Sequence, residues 1–384
     1  MCPYNVASLT VCAQRAFTRH SEVIGEATSS PKERMSTMMN RKDFLKTGLA
    51  AGAFLGSSAY IAAAASGDQN RAASAEQDLE KYRFHPLHRF SNDELVIERE
   101  QQGRPHEGKV LAAIQPHSDD IPIFAGGLVA KLIREGYKGY LIRTTNDDSA
   151  GRGSTRAESI LNDERDTEEV AKILGLEKVY NLNYRNHNID EVNIKEITAR
   201  FVFLIRMLKI DTIITYDPWA PYDNNPDHYI TGRAVEAAYT GRWDYPEQLD
   251  AVEPHSVSER YYFTRRGPQY INRIVEITSH VDTKVRANMA NVTQGPGGNS
   301  GSLLRRRLAD KGLKLPVLGN DDQTADFNYI KHIMLDLDSE NLRLTPSDRK
   351  VGEPFGLEWA ERYYYRGPIR SSLDEYIAKN AVRI

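Results

Sequence analysis

The sequence predicts an α/β protein: a Rossmann-like, mostly parallel sheet with helices on both faces, forming one domain with a C-terminal extension. Three observations predict it. Short apolar runs alternate with longer amphipathic segments through the middle of the chain, as βα units require. Two of these runs, Val110 to Ile114 and Asp211 to Tyr216, read as buried strands that break abruptly into polar clusters. Right-handed crossovers would set both breaks on the same sheet edge, where open α/β sheets bind ligands.

A chain of 384 residues has room for one large domain or two small ones. Its 40% hydrophobic and 27% charged residues are ordinary for a globular protein. A formal net charge of −3 offers no electrostatic attraction to nucleic acid or to an anionic membrane. The two cysteines, Cys2 and Cys12, both lie near the start, so neither a disulfide framework nor a cysteine metal site is expected later. Twenty tyrosines against eleven phenylalanines hint at surfaces that hold polar ligands.

Residues 1–38 lack periodicity and are assigned no fold; Met35, Met38 and Met39 are alternative starts. Residues 39–75 read as a signal peptide. Asn40-Arg41-Lys42-Asp43-Phe44-Leu45-Lys46 is the positive region, Thr47 to Ser66 the apolar one, and Ala73-Ser74-Ala75 a cleavage site. The Arg-Lys-x-Phe-Leu-Lys order resembles a twin-arginine motif with its second arginine replaced, so either export route fits. A membrane anchor is the competing reading, but the run is rich in Ala and Gly rather than Leu. The expectation is a periplasmic or secreted protein with no stable membrane anchor after cleavage. Residues 76–108 form a charged N-terminal segment whose His85 and His88 carry no assigned role.

The domain is expected over 109–298. After the first strand, Leu128 to Ile133 reads as a helix and Tyr137 to Thr145 as a second strand. The Gly-rich loop Asn146 to Gly153 lacks the Gly-Lys-Ser/Thr ending of a nucleotide loop and reads as a flexible rim of the site. A helix over Glu158 to Leu174 stops at Gly175; a strand over Lys178 to Leu182 leads into a polar loop with His187. Ile194 to Leu208 is an amphipathic helix, Asp211 to Tyr216 a buried strand, and Ile230 to Tyr239 a helix. Strands over Arg260 to Thr264 and Arg273 to Thr278 precede a helix over Asp282 to Thr293, closed by Gly295-Pro296-Gly297-Gly298. Residues 299–384 form the extension: Arg305-Arg306-Arg307 reads as a solvated helix face, and aromatic Phe355 to Tyr365 is expected to pack back on the domain.

Pro116-His117-Ser118-Asp119-Asp120 carries the chemistry. His117 and Asp120, three apart on a tight turn, can aim a nitrogen and an oxygen at one cation; alternatively the aspartates simply cap the next helix. The second cluster, Asp217 to His228, supplies another histidine at the same edge.

P-H-S-D-D at 116–120 with Gly126-Gly127, then P-D-H at 226–228, resembles the PIG-L/LmbE-like de-N-acetylases, zinc hydrolases of N-acetyl groups on amino sugars and related amides. The likeness runs from about Lys109 to Gln294 and includes Lys284-x-x-Ala287-(x)3-Asn291-x-Thr293-Gln294. It implies Zn2+, or another divalent transition metal, on His117, Asp120 and His228, with Asp119 as general base. Asn225 and Asp227 are further catalytic candidates, and Tyr222, His187, Arg165 and Arg152 are candidate substrate contacts. The chain departs from the family pattern at Asn225 and Asn291, where the family usually has His, and at Arg165, which is out of register. The function implied is an exported de-N-acetylase of an N-acetyl amino sugar or glycoconjugate. A non-catalytic carbohydrate-binding relative and a zinc hydrolase of another amide or ester are the alternatives.

Overall fold

Eight strands in the order β1-β7-β8-β6-β5-β2-β3-β4 make a single sheet, seen in a computed structural model. The structure describes residues 95–220, 223–241, 252–265, 269–337, 346–368 and 372–382, all within one compact unit. The signal-peptide assignment, His85, His88 and Tyr222 lie outside the described residues. In chain order the strands are β1 (Val96–Glu98), β2 (Val110–Gln115), β3 (Lys138–Thr145), β4 (Lys178–Tyr184), β5 (Thr212–Tyr216), β6 (Glu259–Phe263), β7 (Arg273–Glu276) and β8 (Ala360–Arg366). Every pairing is parallel except those of β8, which runs antiparallel between β6 and β7. The expected mostly parallel sheet is therefore present.

β2 is central because both of its faces are covered. Leu111 and Ala113 pack into one core and Ala112 and Ile114 into another, all fully buried, as the two-residue period of a strand dictates. The first core takes α1 (Asp120–Phe124), α2 (Gly126–Arg134), α3 (Arg156–Leu174) and, later in the chain, α6 (Val281–Ala290). The second takes α4 (Ile194–Leu208) and α5 (Pro226–Ala238). The apolar stripe of α4, with Ile197, Phe201, Val202, Leu204 and Ile205 buried, explains its place. Among the described residues no helix is long and apolar enough to cross a membrane.

The strand order reverses at β2: β3 and β4 continue on one side of it and β5 lies on the other. The carboxyl ends of β2 and β5 flank this switch point, where a doubly wound sheet opens its crevice. Both segments outside 109–298 add to the sheet. β1 pairs with β7, and β8 supplies an interior strand from the extension. The expected packing of Phe355 to Tyr365 thus takes the form of strand pairing.

Several boundaries differ from expectation by a few residues, α5 among them, which starts at Pro226 rather than Ile230, and two of the shifts have clear local reasons. α3 begins at Arg156, because Thr155 accepts the Glu158 N–H as an N-cap and opens the helix two residues early. α6 ends at Ala290, so Asn291, Thr293 and Gln294 lie on the loop beyond it, where Asp166 accepts the Thr293 N–H at 2.6 Å.

Candidate metal centre

The turn after β2 is built by its own polar side chains. Buried Gln115 accepts the Ile121 N–H at 2.8 Å, which pulls the chain back over the strand end. Thr145 of β3 donates to the Pro116 carbonyl through its backbone N–H at 3.1 Å and its hydroxyl at 2.8 Å. The Asp120 carboxylate accepts the His117 N–H at 2.9 Å, closing the turn. Asp119 occupies the N-cap position of α1 but makes no side-chain capping bond, so the capping reading does not account for it. Instead its carboxylate lines a cavity of about 140 Å³. Gly295, at φ +91°, passes so close that a Cβ there would lie 2.7 Å from the Asp119 Cβ.

Three side chains converge in that cavity. The ligand atoms of His117, Asp120 and His228 all lie within 4.8 Å of one another, and all three residues are buried. His117 Nδ1 and His228 Nε2 are 3.2 Å apart, and Asp120 oxygens stand 3.4 Å from the first and 3.8 Å from the second. Two nitrogens bound tetrahedrally to one zinc at ordinary bond lengths lie about 3.3 Å apart, so the donor set fits such an ion.

The orientation of each imidazole is fixed from behind. His117 Nε2 lies 3.0 Å from Asp227, and His228 Nδ1 lies 2.7 Å from Asp223. Burial opposes ionisation of Asp227 and Asp223, but their hydrogen bonds to His117 and His228 outweigh it and lower both carboxyl pKa values. Ionised carboxylates only accept, so either imidazole, when neutral, points its proton outward and its lone pair at the centre, as ligand histidines do. Tyr216, at the end of β5, stacks on His228 at 4.1 Å and donates to Asp120 at 2.7 Å. Burial raises the Asp120 pKa, but the charges of His228 and His117 and the Tyr216 hydroxyl hold it well below the ordinary range. Burial also disfavours a charged His117, yet Asp120 and Asp227 outweigh it and raise its pKa well above the usual value. Burial dominates for His228, whose pKa falls.

Asp227, expected among the catalytic residues, is fully buried behind His117, where it also accepts the His187 N–H at 2.7 Å. Asn225 and His187 line the cavity. The Asn225 Oδ1 accepts the Asp227 N–H as the N-cap of α5, which leaves its amide NH2 for other partners. Arg165 and Arg152 are corrections. Arg165 is exposed on α3, bonded to Asn162 and the Leu161 carbonyl, and Arg152 is exposed and bonded to Asn299. Neither lines the cavity, because helical periodicity turns Arg165 outward and the loop carries Arg152 past the rim. The Asn146–Gly153 loop is tethered rather than merely a rim. Buried Asp147 takes the Ser118 N–H at 3.0 Å and the Asn186 amide at 3.3 Å, and Asp148 takes the Asn186 N–H at 3.1 Å.

Sequence reading passed over Asp223, Tyr216, Arg265 and the buried group Arg143–Asp147–Asp163. Asp223 is one of three aspartates between 217 and 228, and nothing in their order marks which one backs a histidine. Arg265 follows β6, far from either cluster in sequence, yet lines the cavity.

Comparisons with known proteins agree with this geometry. Residues 112–239 match the model of the PIG-L family, GlcNAc-PI de-N-acetylase. The diacetylchitobiose deacetylase of Thermococcus kodakarensis is 26% identical over 194 residues, 49% of this chain and 71% of that protein. The N,N'-diacetylchitobiose deacetylase of Pyrococcus horikoshii has a similar fold, with a TM-score of 0.51 at 23% identity over 69% of this chain and 86% of that one. The segment that matches the PIG-L family model runs from β2 through α5, a third of the chain, and it is the stretch that holds His117, Asp120 and His228.

Proposed function

We propose that this protein is a metal-dependent hydrolase that removes the acetyl group from an N-acetyl amino sugar, free or within a glycoconjugate. The observation that carries the reading is the convergence of His117, Asp120 and His228, each imidazole backed by its own carboxylate, with Asp119 beside them in the same cavity. Two imidazoles and one carboxylate suit zinc and leave room for water and substrate. The ion, when bound, acidifies water to a pKa of about 7 and polarises the amide carbonyl.

The chain's own groups do the rest. Asp119 accepts the proton of the attacking water and delivers it to the departing amine nitrogen. Asp120 is occupied by the Tyr216 hydroxyl and the His117 N–H, so the two adjacent aspartates divide the labour. Asp227 and Asp223 keep their histidines oriented and neutral in the metal-bound form. The Asn225 amide and His187 contact the substrate at the cavity wall. The Thermococcus relative is named for diacetylchitobiose, so N-acetylglucosamine and its oligomers are the substrates to try first. Export to the periplasm or medium rests on the signal-like segment 39–75 and belongs to the same proposal.

The test joins metal analysis to an acetate-release assay on the purified protein. His117→Ala should lose the metal and the activity together. Asp119→Asn should keep the metal and lose about 10²–10⁴ in kcat. A wild-type protein that takes up no divalent metal and releases no acetate would overturn the reading.

A further inference from the structure

Among the described residues that line the cavity, Arg265 alone carries a permanent positive charge. It lies two residues beyond β6, with its side chain only 14% exposed. Its Nη2 makes two long contacts, 3.4 Å to Asp223 and 3.3 Å to Asn224. Its Nε is buried and has no hydrogen-bond partner among the described residues. A guanidinium offers five N–H donors in a rigid fork, so these contacts leave donors over. Arg265 and Phe124 also line a second cavity of about 30 Å³, which puts the guanidinium at the junction of the two.

Amide hydrolysis needs positive charge where the acyl oxygen becomes an anion. Asn225 offers only a neutral amide, since its oxygen caps α5. His187 is exposed, and solvent weakens any charge it carries. Arg265 is largely shielded from solvent and permanently charged, and its Nε–H is left without an acceptor beyond the contacts its Nη2 makes to Asp223 and Asn224. Resting on the function proposed above, we propose that Arg265 is the oxyanion-stabilising residue of the site. As the water oxygen bonds to the carbonyl carbon, the π pair moves onto the acyl oxygen, and Arg265 donates hydrogen bonds to it. The pair then returns, the C–N bond breaks, and the amine leaves with the proton that Asp119 held. Arg265 transfers no proton.

The test uses metal-loaded wild type, Arg265→Gln, Arg265→Lys and Arg265→Ala. It measures hydrolysis of N-acetylglucosamine, binding of the methylphosphonamidate of glucosamine as a stable tetrahedral anion, and metal affinity by chelator competition. Arg265→Gln should lose about 10²–10³ in kcat and the same factor in phosphonamidate affinity. KM should move less than about threefold, and metal affinity should stay unchanged. Arg265→Lys should fall between Gln and wild type, and free guanidinium should restore part of the activity of Arg265→Ala. Should the Gln variant fail to fold, the Lys variant and the guanidinium rescue still decide the matter. Loss of metal affinity in step with activity would mean that Arg265 acts through Asp223 on His228, and would overturn the proposal. So would a rise in KM alone, or unaltered phosphonamidate binding. An active wild type with an equally active Arg265→Gln sinks this inference and leaves the deacetylase reading standing, whereas a wild type that neither hydrolyses the sugar nor binds its analogue sinks both.

Discussion

Asp223 and Asp227 never need to touch substrate to matter. Each fixes the tautomer and ring orientation of a histidine that faces the centre, at 2.7 Å and 3.0 Å. Replacing either with Asn should weaken metal binding about 10–100-fold while the fold survives, which competition with a chromogenic chelator will measure. Beneath the site, Asp163 accepts the Ser118 hydroxyl at 3.1 Å and is fully buried. Burial, helped by the charge of Asp147, pushes its pKa up to about 8. The folded state therefore holds this proton more tightly than the unfolded chain does. The stability it contributes is complete below the ordinary carboxylate range and is lost as pH rises through about 8. Urea unfolding of wild type should give a more negative slope of stability against pH between those limits than Asp163→Asn, by at most about 1.4 kcal/mol per pH unit. Equal slopes would mean that Asp163 is ionised in the fold.

A second buried network joins elements that are distant in sequence. Glu361 of β8 accepts the backbone N–H groups of Gly127 and Leu128 at 2.9 and 2.8 Å, so a side chain from the extension caps the first turn of α2. Lys284 of α6 donates to the same carboxylate at 2.7 Å and to Asp348 at 2.5 Å, and it is fully buried. Tyr363 donates to Glu361 at 2.6 Å. Close packing of α2 on the next layer also demands a glycine, since a Cβ on Gly127 would meet the Ile277 side chain at 2.6 Å. Glu361→Ala would leave Lys284 with half its counter-charge and two helix N–H groups unpaired. Removing one partner of a buried ion pair costs about 3–5 kcal/mol, so chemical denaturation should register a loss of that size. A loss below 1 kcal/mol would show that water replaces the carboxylate (about 1 kcal/mol being an ordinary hydrogen bond's worth).

The whole sheet depends on the segment after 298. β8 pairs antiparallel with both β6 and β7, through Arg260↔Arg366 on one side and Arg273↔Tyr363 on the other. Removing it would separate β7 and β1 from the rest and strip Trp359 and Tyr363, 1% and 0% exposed, from the core. A fragment of residues 109–298 should therefore fail to unfold cooperatively, whereas residues 86–384 should melt as a single transition in calorimetry. A cooperative melt of the shorter fragment would show that β8 is dispensable. The first and last strands in chain order, β1 and β8, are the least legible. β1 has only three residues and β8 reads A-E-R-Y-Y-Y-R, neither with a strong periodic signal of its own. Their strand character comes from the neighbours they pair with.

Local sequence was enough wherever physics acts over a few residues. Apolar runs ending in polar turns marked β2 and β5, and the stripe of α4 marked its buried face, whereas the set His117, Asp120 and His228 came from the family resemblance that P-H-S-D-D and P-D-H carry. Parallel βα order then set both clusters on one edge, because crossover handedness is nearly invariant. Only the tertiary structure decided which carboxylate stands behind which imidazole, that Arg165 and Arg152 face away, and that Arg265 enters the cavity from β6. The His117–Asp227 and Arg265–Asp223 contacts join residues far apart in the chain and leave no periodic trace, while Asp223, close to His228 in sequence, is not distinguished there from its neighbouring aspartates. The placement of β8 has the same cause: a strand joins a sheet through partners, and its partners lie about a hundred residues upstream.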